Sequence, residues 1–290
     1  MDTNITPNTA AALWDVAADG WARYGPTIER IEADLSALIC AALPPLAGLD
    51  VLELGSGSGE FARLLAADIG PDGHLLATDI APAMTRVQTA RLADLTNTSV
   101  RGGVDVTDLP LADDSADVVV FRMGLMMSPQ PDRALQSIRC VLRPGGRFVT
   151  TVWGPLTENP WLTSVGMAAM TQGLVAGGPP VGPGEPFSLP DPDILRDLFA
   201  AAGFSSVSVE THRGVRHYRD DAEHVDMVLA LAPPLAAARR GFSAEQDSAL
   251  RSTIASLTEQ YRNPDGSLDI PMCAHAVSYT HLTLPTSDLV

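Results

Sequence analysis

Nine residues, Val51-Leu-Glu-Leu-Gly-Ser-Gly-Ser-Gly59, constrain this chain more than any other stretch. An apolar run into an acidic residue, followed by glycines on alternate positions, reads as a buried parallel strand ending in a tight loop before a helix. Glycine permits positive φ and places no Cβ between chain and ligand. The N–H groups opening the next helix point into the same space, so loops of this kind hold nucleotides. A dinucleotide fingerprint needs G-x-G-x-x-G, and counting from Gly55 and Gly57 places Glu60 where the third glycine belongs. The pattern that fits is acidic-x-Gly-x-Gly-x-Gly, carried by Glu53, Gly55, Gly57 and Gly59.

Upstream, residues 10–45 carry apolar positions at helical spacing up to Pro44-Pro45, a helical lead-in whose Trp14, Trp21 and Tyr24 form either a core stripe or the wall of a substrate cavity. Downstream, Phe61, Leu64, Leu65 and Ile69 predict an amphipathic helix stopped by Gly70-Pro71, and His74–Asp79 a second strand. In nucleotide-binding α/β folds an acidic residue at the tip of this strand, about 20 residues past the glycines, accepts the ribose hydroxyls. Asp79 stands there, and its other reading is a cap for the helix opening at Pro82. A third strand is expected over about 100–106, ending at Asp105. Ala116–Phe121 is a continuous apolar run suited to a central strand covered on both faces. After it come Arg122, a helix over 132–142, the break Pro144-Gly145-Gly146 and a fifth strand from Arg147 to Trp153. Regular alternation of strand and helix implies a parallel, doubly wound sheet with ligands at the carboxyl ends of its strands.

Beyond Gly154 the pattern changes. Residues 172–190 are crowded with Gly and Pro and read as a lid or a surface excursion. Asp191-Pro192 opens a helix ending near Gly203, and Val207, Val209 and Thr211 alternate as a sixth strand. Two helices are expected next, the second opened by the capping box Ser243-x-x-Gln246, and Leu268–Ala276 begins a last strand. His212, His217 and His224 lie in this half, and the sequence places none of them in a pocket.

Composition narrows the chemistry. With 19 basic against 35 acidic residues the chain lacks the basic face that nucleic acid requires, and it suits a cationic ligand. Cys40, Cys140 and Cys273 are scattered without metal-ligand spacing, so no metal site or disulfide framework is expected. No apolar run is long enough to span a bilayer, and the expected location is the cytoplasm.

Glu53 to Gly59, Asp79, Asp105-Val106 with Leu109-Pro110, the strand containing Asp117, and Leu142-Arg-Pro-Gly-Gly-Arg147 occur together in an order that resembles class I S-adenosylmethionine-dependent methyltransferases of the ubiquinone/menaquinone-biosynthesis-like (methyltransferase type 11) group. The resemblance covers residues 10–155 well and the rest loosely. It implies a Rossmann-like, doubly wound, mostly parallel seven-stranded α/β sheet with an antiparallel last strand and helical cap elements. The divisions expected are a lead-in over 1–46, a cofactor-binding core over 47–155, and the remainder of the sheet with lid and cap helices over 156–276. The implied cofactor is S-adenosyl-L-methionine. The loop Gly55, Ser56, Gly57, Gly59 would pass under its methionine and ribose, and Glu53 would hold the loop or the ligand's ammonium. Asp79 would accept from both ribose hydroxyls and Ile80 would flank the adenine. Met84 would pack nearby, Asp105 would receive the adenine amino group, and the Val106 N–H would reach a ring nitrogen.

Methyl transfer from a sulfonium needs alignment and dryness more than a dedicated base, so no Ser-His-Asp-like constellation is expected. Arg122 is the candidate catalytic residue, orienting an acceptor oxygen anion, unless it pairs structurally with a carboxylate. The implied activity is methylation of an O- or C-nucleophile on a small aromatic, quinone-like or lipid acceptor. The alternative is a non-catalytic or regulatory module that binds the same nucleoside. Oligomeric state is not legible. Val277–Thr286 back-translates as the transposase adapter of sequencing libraries and an index followed by more adapter sequence accounts for the rest, so residues 277–290 are expected to be read-through rather than part of the natural chain.

Overall fold

The computed structural model describes residues 7–204 and 206–280. The lead-in forms α1 (Pro7–Asp15), α2 (Ala18–Ile31) and α3 (Ala33–Ala42). Then follow β1 (Asp50–Glu53), α4 (Glu60–Ile69), β2 (His74–Asp79), α5 (Pro82–Leu92), β3 (Thr98–Gly102), β4 (Ala116–Arg122), α6 (Pro131–Val141) and β5 (Leu142–Trp153). The second half adds α7 (Pro160–Thr171), α8 (Pro192–Ala201), β6 (Ser208–Tyr218), α9 (Asp221–Leu231), α10 (Pro233–Arg239), α11 (Ala244–Thr258) and β7 (Leu268–Thr280).

The seven strands form one sheet in the order β3-β2-β1-β4-β5-β7-β6. Neighbours from β3 to β5 are parallel, and β7 is antiparallel to both β5 and β6. Two reversals return β6 to the direction of β5. The carboxyl ends of β2, β1, β4, β5 and β6 therefore lie along a single edge of the sheet. In the central strand β4, alternation sends Val118 and Val120 into one hydrophobic layer and Val119 and Phe121 into the other, none more than 5% exposed.

Several expectations are corrected. The third strand is Thr98–Gly102, and Asp105 lies beyond it in a loop. This strand is on the sheet's edge, and its residues are half-buried or exposed, so it lacks the apolar signature that marks the inner strands. The fifth strand begins to pair at Leu142, with an irregularity across Pro144-Gly145-Gly146 before regular register resumes at Arg147. Three helices, not two, separate β6 from β7. Ala232 precedes Pro233 and takes an extended conformation, which breaks the run into α9 and α10.

Other local signals act as read. The Asp191 side chain accepts from Asp193 N–H at the start of α8, and the Ser243/Gln246 capping box opens α11. The Gly/Pro-rich segment is anchored at its far end. Phe187 and Leu189 are buried, Ser188 Oγ donates to the Met126 carbonyl at 2.8 Å, and His275 Nε2 donates to the Pro190 carbonyl at 2.8 Å. The adapter-like stretch enters β7, where residues 277–280 pair with β5 and Tyr279 meets Phe204 edge-on at 4.5 Å. Strand-forming residues of any origin pair in this way, so the register is silent on where they came from. His281 and the residues after it lie outside the described residues.

Candidate active site

The glycine loop follows β1 directly. Leu54 N–H continues the ladder to the Val120 carbonyl at 2.9 Å, and the chain then turns through Gly55, Gly57 and Gly59 at φ of 58°, 55° and 86°. Only glycine takes these values without strain, so the sequence pattern is a backbone requirement. Ser56 fastens the loop to β2, with its N–H and its hydroxyl both donating to the Thr78 carbonyl at 2.9 Å. Thr78 returns a bond from Oγ1 to the Glu53 carbonyl at 2.9 Å.

Asp79 joins the same construction. Its Oδ2 accepts from Gly57 N–H at 3.0 Å and its Oδ1 from Ala81 N–H at 2.8 Å, so one buried carboxylate ties the glycine loop to the start of α5. Burial raises its pKa to about 6, against the lowering effect of the N–H groups it accepts from. The loop beyond β3 is drawn to this point by Val104 N–H donating to the Asp79 carbonyl at 3.2 Å. That bond brings Asp105 and Val106 close to the end of β2, although Asp105 is not a strand residue. Asp105 Oδ1 accepts from Thr107 N–H at 2.9 Å, which shapes the turn. Met84 is buried against Ala17, Ala18 and Ala81, while Ile80 is half-buried.

Glu53, at the tip of β1, is 2% exposed, and its Oε2 has no hydrogen-bond partner among the described residues. Burial pushes its pKa up to about 8, Arg122 pulls it down, and Glu29 and Asp79 raise it. An unpartnered carboxylate oxygen in such a position calls for a cation. The residues present therefore suit a positively charged nucleoside: a glycine cradle, a carboxylate against that cradle, and a second carboxylate with an open oxygen. Among the described residues no group of three potential metal ligands occurs.

The lead-in helices cover this edge. A Cβ on Gly25 of α2 would stand 2.6 Å from Ser58 Oγ, so the helix can pass this close to the loop only because glycine is there. Trp21 lies over Gly57, where a Cβ would stand 3.8 Å from the indole, and its Nε1 donates to the Leu231 carbonyl at 3.3 Å. Trp21 thus belongs to the wall of the site as well as to the core.

Arg122 Nη1 donates to Glu29 Oε2 at 2.6 Å and Nη2 to Glu32 Oε2 at 2.9 Å, the structural pairing that the sequence left open. Glu32 Oε1 in turn accepts from Arg216 Nη1 at 2.8 Å. Sequence reasoning missed Glu29, Glu32 and Arg216. The signal for the first two was two acids among Ile28, Ile31 and Leu35, on a face that is otherwise apolar and buried.

The family model described as "Methyltransferase domain" matches residues 52–150. An arsenite methyltransferase of Halobacterium salinarum is 32% identical over 58% of this chain and 40% of its own length. The ubiquinone/menaquinone biosynthesis C-methyltransferase UbiE of Ralstonia pickettii is 32% identical over 55% of this chain and 69% of its own. The chain thus spans about two fifths of the first relative and about two thirds of the second. The crystal structure of the YcgJ protein of Bacillus subtilis shares the fold, with TM-score 0.56, 15% identity, and coverage of 87% of this chain and all of that one. No helix among the described residues is long and apolar enough to cross a membrane. A glycine loop of this form, the sheet order and these matches together show that the chain belongs to the class I S-adenosylmethionine-dependent methyltransferases, in their ubiquinone/menaquinone-biosynthesis-like group.

Proposed function

We propose that the chain transfers a methyl group from S-adenosylmethionine to an O- or C-nucleophile of a small aromatic or quinone-like acceptor. The observation that carries this reading is the bond from Gly57 N–H to Asp79 Oδ2, which ties the glycine cradle to a buried carboxylate at the carboxyl edge of the sheet. This arrangement suits a nucleoside whose ribose hydroxyls go to Asp79 and whose ammonium goes to Glu53. Asp105 and Val106 stand on the β3 side, where the base would lie. Bound there, S-adenosylmethionine supplies a methyl group on a leaving group already activated by its positive charge.

The chain's own contribution is alignment and exclusion of water. Along the edge of the sheet the order is Asp79 on β2, Glu53 on β1, Arg122 on β4 and Trp153 on β5. A ligand with its ribose at Asp79 and its ammonium at Glu53 directs its methyl group toward β4 and β5, so the acceptor belongs over those strands. Arg122 spends both Nη groups on Glu29 and Glu32, and we assign it to holding α2 across the edge rather than to touching the acceptor. The quinone-like class is drawn from the UbiE relative's name, and the arsenite methyltransferase is the reason the acceptor is left as a class.

The test is methyl transfer from labelled S-adenosylmethionine to a panel of reduced naphthoquinones, simple phenols, lipids and arsenite. Turnover confined to the reduced naphthoquinones or phenols is expected. Tight S-adenosylhomocysteine binding with no turnover on any member would favour the regulatory module instead.

A further inference from the structure

A second set of unsatisfied polar atoms lies farther along the edge that carries the glycine loop. Arg216 and Tyr218 are at the carboxyl end of β6, and β6 runs parallel to β5 through the two reversals at β7. Their chain ends on the same side as Glu53, Arg122 and Trp153, beyond the point to which the methyl group would be directed.

Arg216 is 1% exposed. Its guanidinium is 3.9 Å from the centroid of the Trp161 ring and 5.7 Å from that of Trp153, and one carboxylate, Glu32, meets it. Its Nε has no partner among the described residues. Tyr218 Oη lies beside the guanidinium but makes no hydrogen bond of acceptable geometry. Arginine offers no acceptor, so the phenolic proton is unused in either case. His224, fully buried 4.8 Å from the Tyr218 ring, donates from Nε2 to the Trp161 carbonyl at 2.6 Å, which leaves Nδ1 without a partner. Burial holds the imidazole pKa down to about 4, so at neutral pH Nδ1 is an open lone pair.

The wall behind these atoms is built firmly. Asn159 is completely buried. Its Oδ1 accepts from Trp161 Nε1 and from Cys273 N–H, both at 3.1 Å, and its Nδ2 donates to the carbonyls of Pro155 at 3.0 Å and Cys273 at 3.1 Å. The Trp161 indole is thereby fixed between α7 and β7. Three unpartnered polar atoms stand against this ordered wall, whereas buried polar groups are normally satisfied.

We infer that Arg216, Tyr218 and His224 recognise a hydroxyl group on the acceptor, as found on a phenol or an enol. This deepens the methyltransferase reading and rests on it. The donor and acceptor inventory selects the group: Arg216 Nε and the Tyr218 hydroxyl proton need an acceptor, and His224 Nδ1 needs a donor. A hydroxyl supplies one proton and two lone pairs. A carboxylate would set its charge against the His224 lone pair, and an ether has no proton to give. Trp153 and Trp161 supply the apolar wall for the ring that bears the hydroxyl.

The experiment is calorimetric titration of the full chain, saturated with S-adenosylhomocysteine, with three probes: 1-naphthol, 1-methoxynaphthalene and 1-naphthoate. The wild type is expected to bind 1-naphthol about tenfold or more tighter than either of the others, as a lost buried hydrogen bond implies. Tyr218→Phe removes one oxygen and keeps the ring. It should weaken 1-naphthol and 1-methoxynaphthalene alike, by about threefold or more, because either oxygen accepts the Tyr218 proton, with S-adenosylhomocysteine affinity unchanged. Arg216→Met should do the same, whereas His224→Phe, which removes the lone pair that only a hydroxyl can satisfy, should cut the preference over the ether to about threefold or less; Tyr218→Phe decides the matter if either of these variants does not fold. Equal binding of naphthol and its ether, tighter binding of naphthoate, no binding of any probe, or unchanged naphthol affinity in a folded Tyr218→Phe overturns the inference. Absence of methyl transfer with the preference intact would count against the enzymatic reading alone.

Discussion

Replacing Asp79 by alanine weakens S-adenosylhomocysteine binding by roughly 100-fold at pH 7.5, the loss expected when two hydrogen bonds to a charged acceptor, together about 3 kcal/mol, disappear. The geometry behind that figure is a carboxylate already oriented by Gly57 N–H and Ala81 N–H, with lone pairs left over for two hydroxyls. The measurement pH lies above the raised pKa of about 6, so the wild-type group is ionised. A control separates ribose recognition from loss of the loop tether. A 2′,3′-dideoxy analogue should bind the wild type far more weakly than the parent and the alanine variant about as weakly as the parent does. If the variant still discriminates between the two ligands, Asp79 serves only the loop and α5.

The second large effect is a pH dependence set by Glu53. Its folded-state pKa is raised from 4.5 to about 8, so the folded protein keeps a proton that the unfolded chain releases. The stability attached to this group is full below about pH 4.5 and is lost as pH rises toward 8, by up to about 1.4 kcal/mol per unit. A cationic ligand reverses the preference, because the ionised carboxylate is the form that receives an ammonium. Affinity for S-adenosylhomocysteine should therefore rise by up to about tenfold per unit between pH 6.5 and 8, with proton release visible as a buffer-dependent heat. Glu53→Gln should flatten both the affinity slope and the stability slope, and raise the melting temperature at pH 8. An unchanged affinity slope in that variant would remove Glu53 from the ligand's surroundings. The charge balance argues the same way: Arg122 and Arg216 are already matched by Glu29 and Glu32, so the added positive charge of the ligand needs a further carboxylate.

The parts of this site that could be read from sequence are those set by neighbours in the chain. Glycines at positive φ, an acid at the tip of β2 and the apolar run of β4 each follow from local backbone and burial rules, and each lies where its pattern predicts. The misreadings share a physical cause. Edge strand β3 has little buried surface to mark its limits, so the sequence pattern runs on to Asp105. The expectation of two helices misses the division at Ala232, whose extended backbone before Pro233 separates α9 from α10. The partners of Arg122 lie about 90 residues away, and Arg216 is more than 180 from Glu32. No periodicity encodes such pairings, which exist only because α2 crosses the carboxyl edge of the sheet. His224, too, reaches the Trp161 carbonyl only through the packing of α9.

The most direct test of the central claim is a crystal structure of the full chain with S-adenosylhomocysteine bound. The account predicts both ribose hydroxyls within hydrogen-bonding distance of the Asp79 carboxylate, the amino group at Glu53 Oε2, and the sulfur directed toward the ends of β4 and β5. A nucleoside lying anywhere else, or one at this edge with its ribose turned away from Asp79, would contradict it.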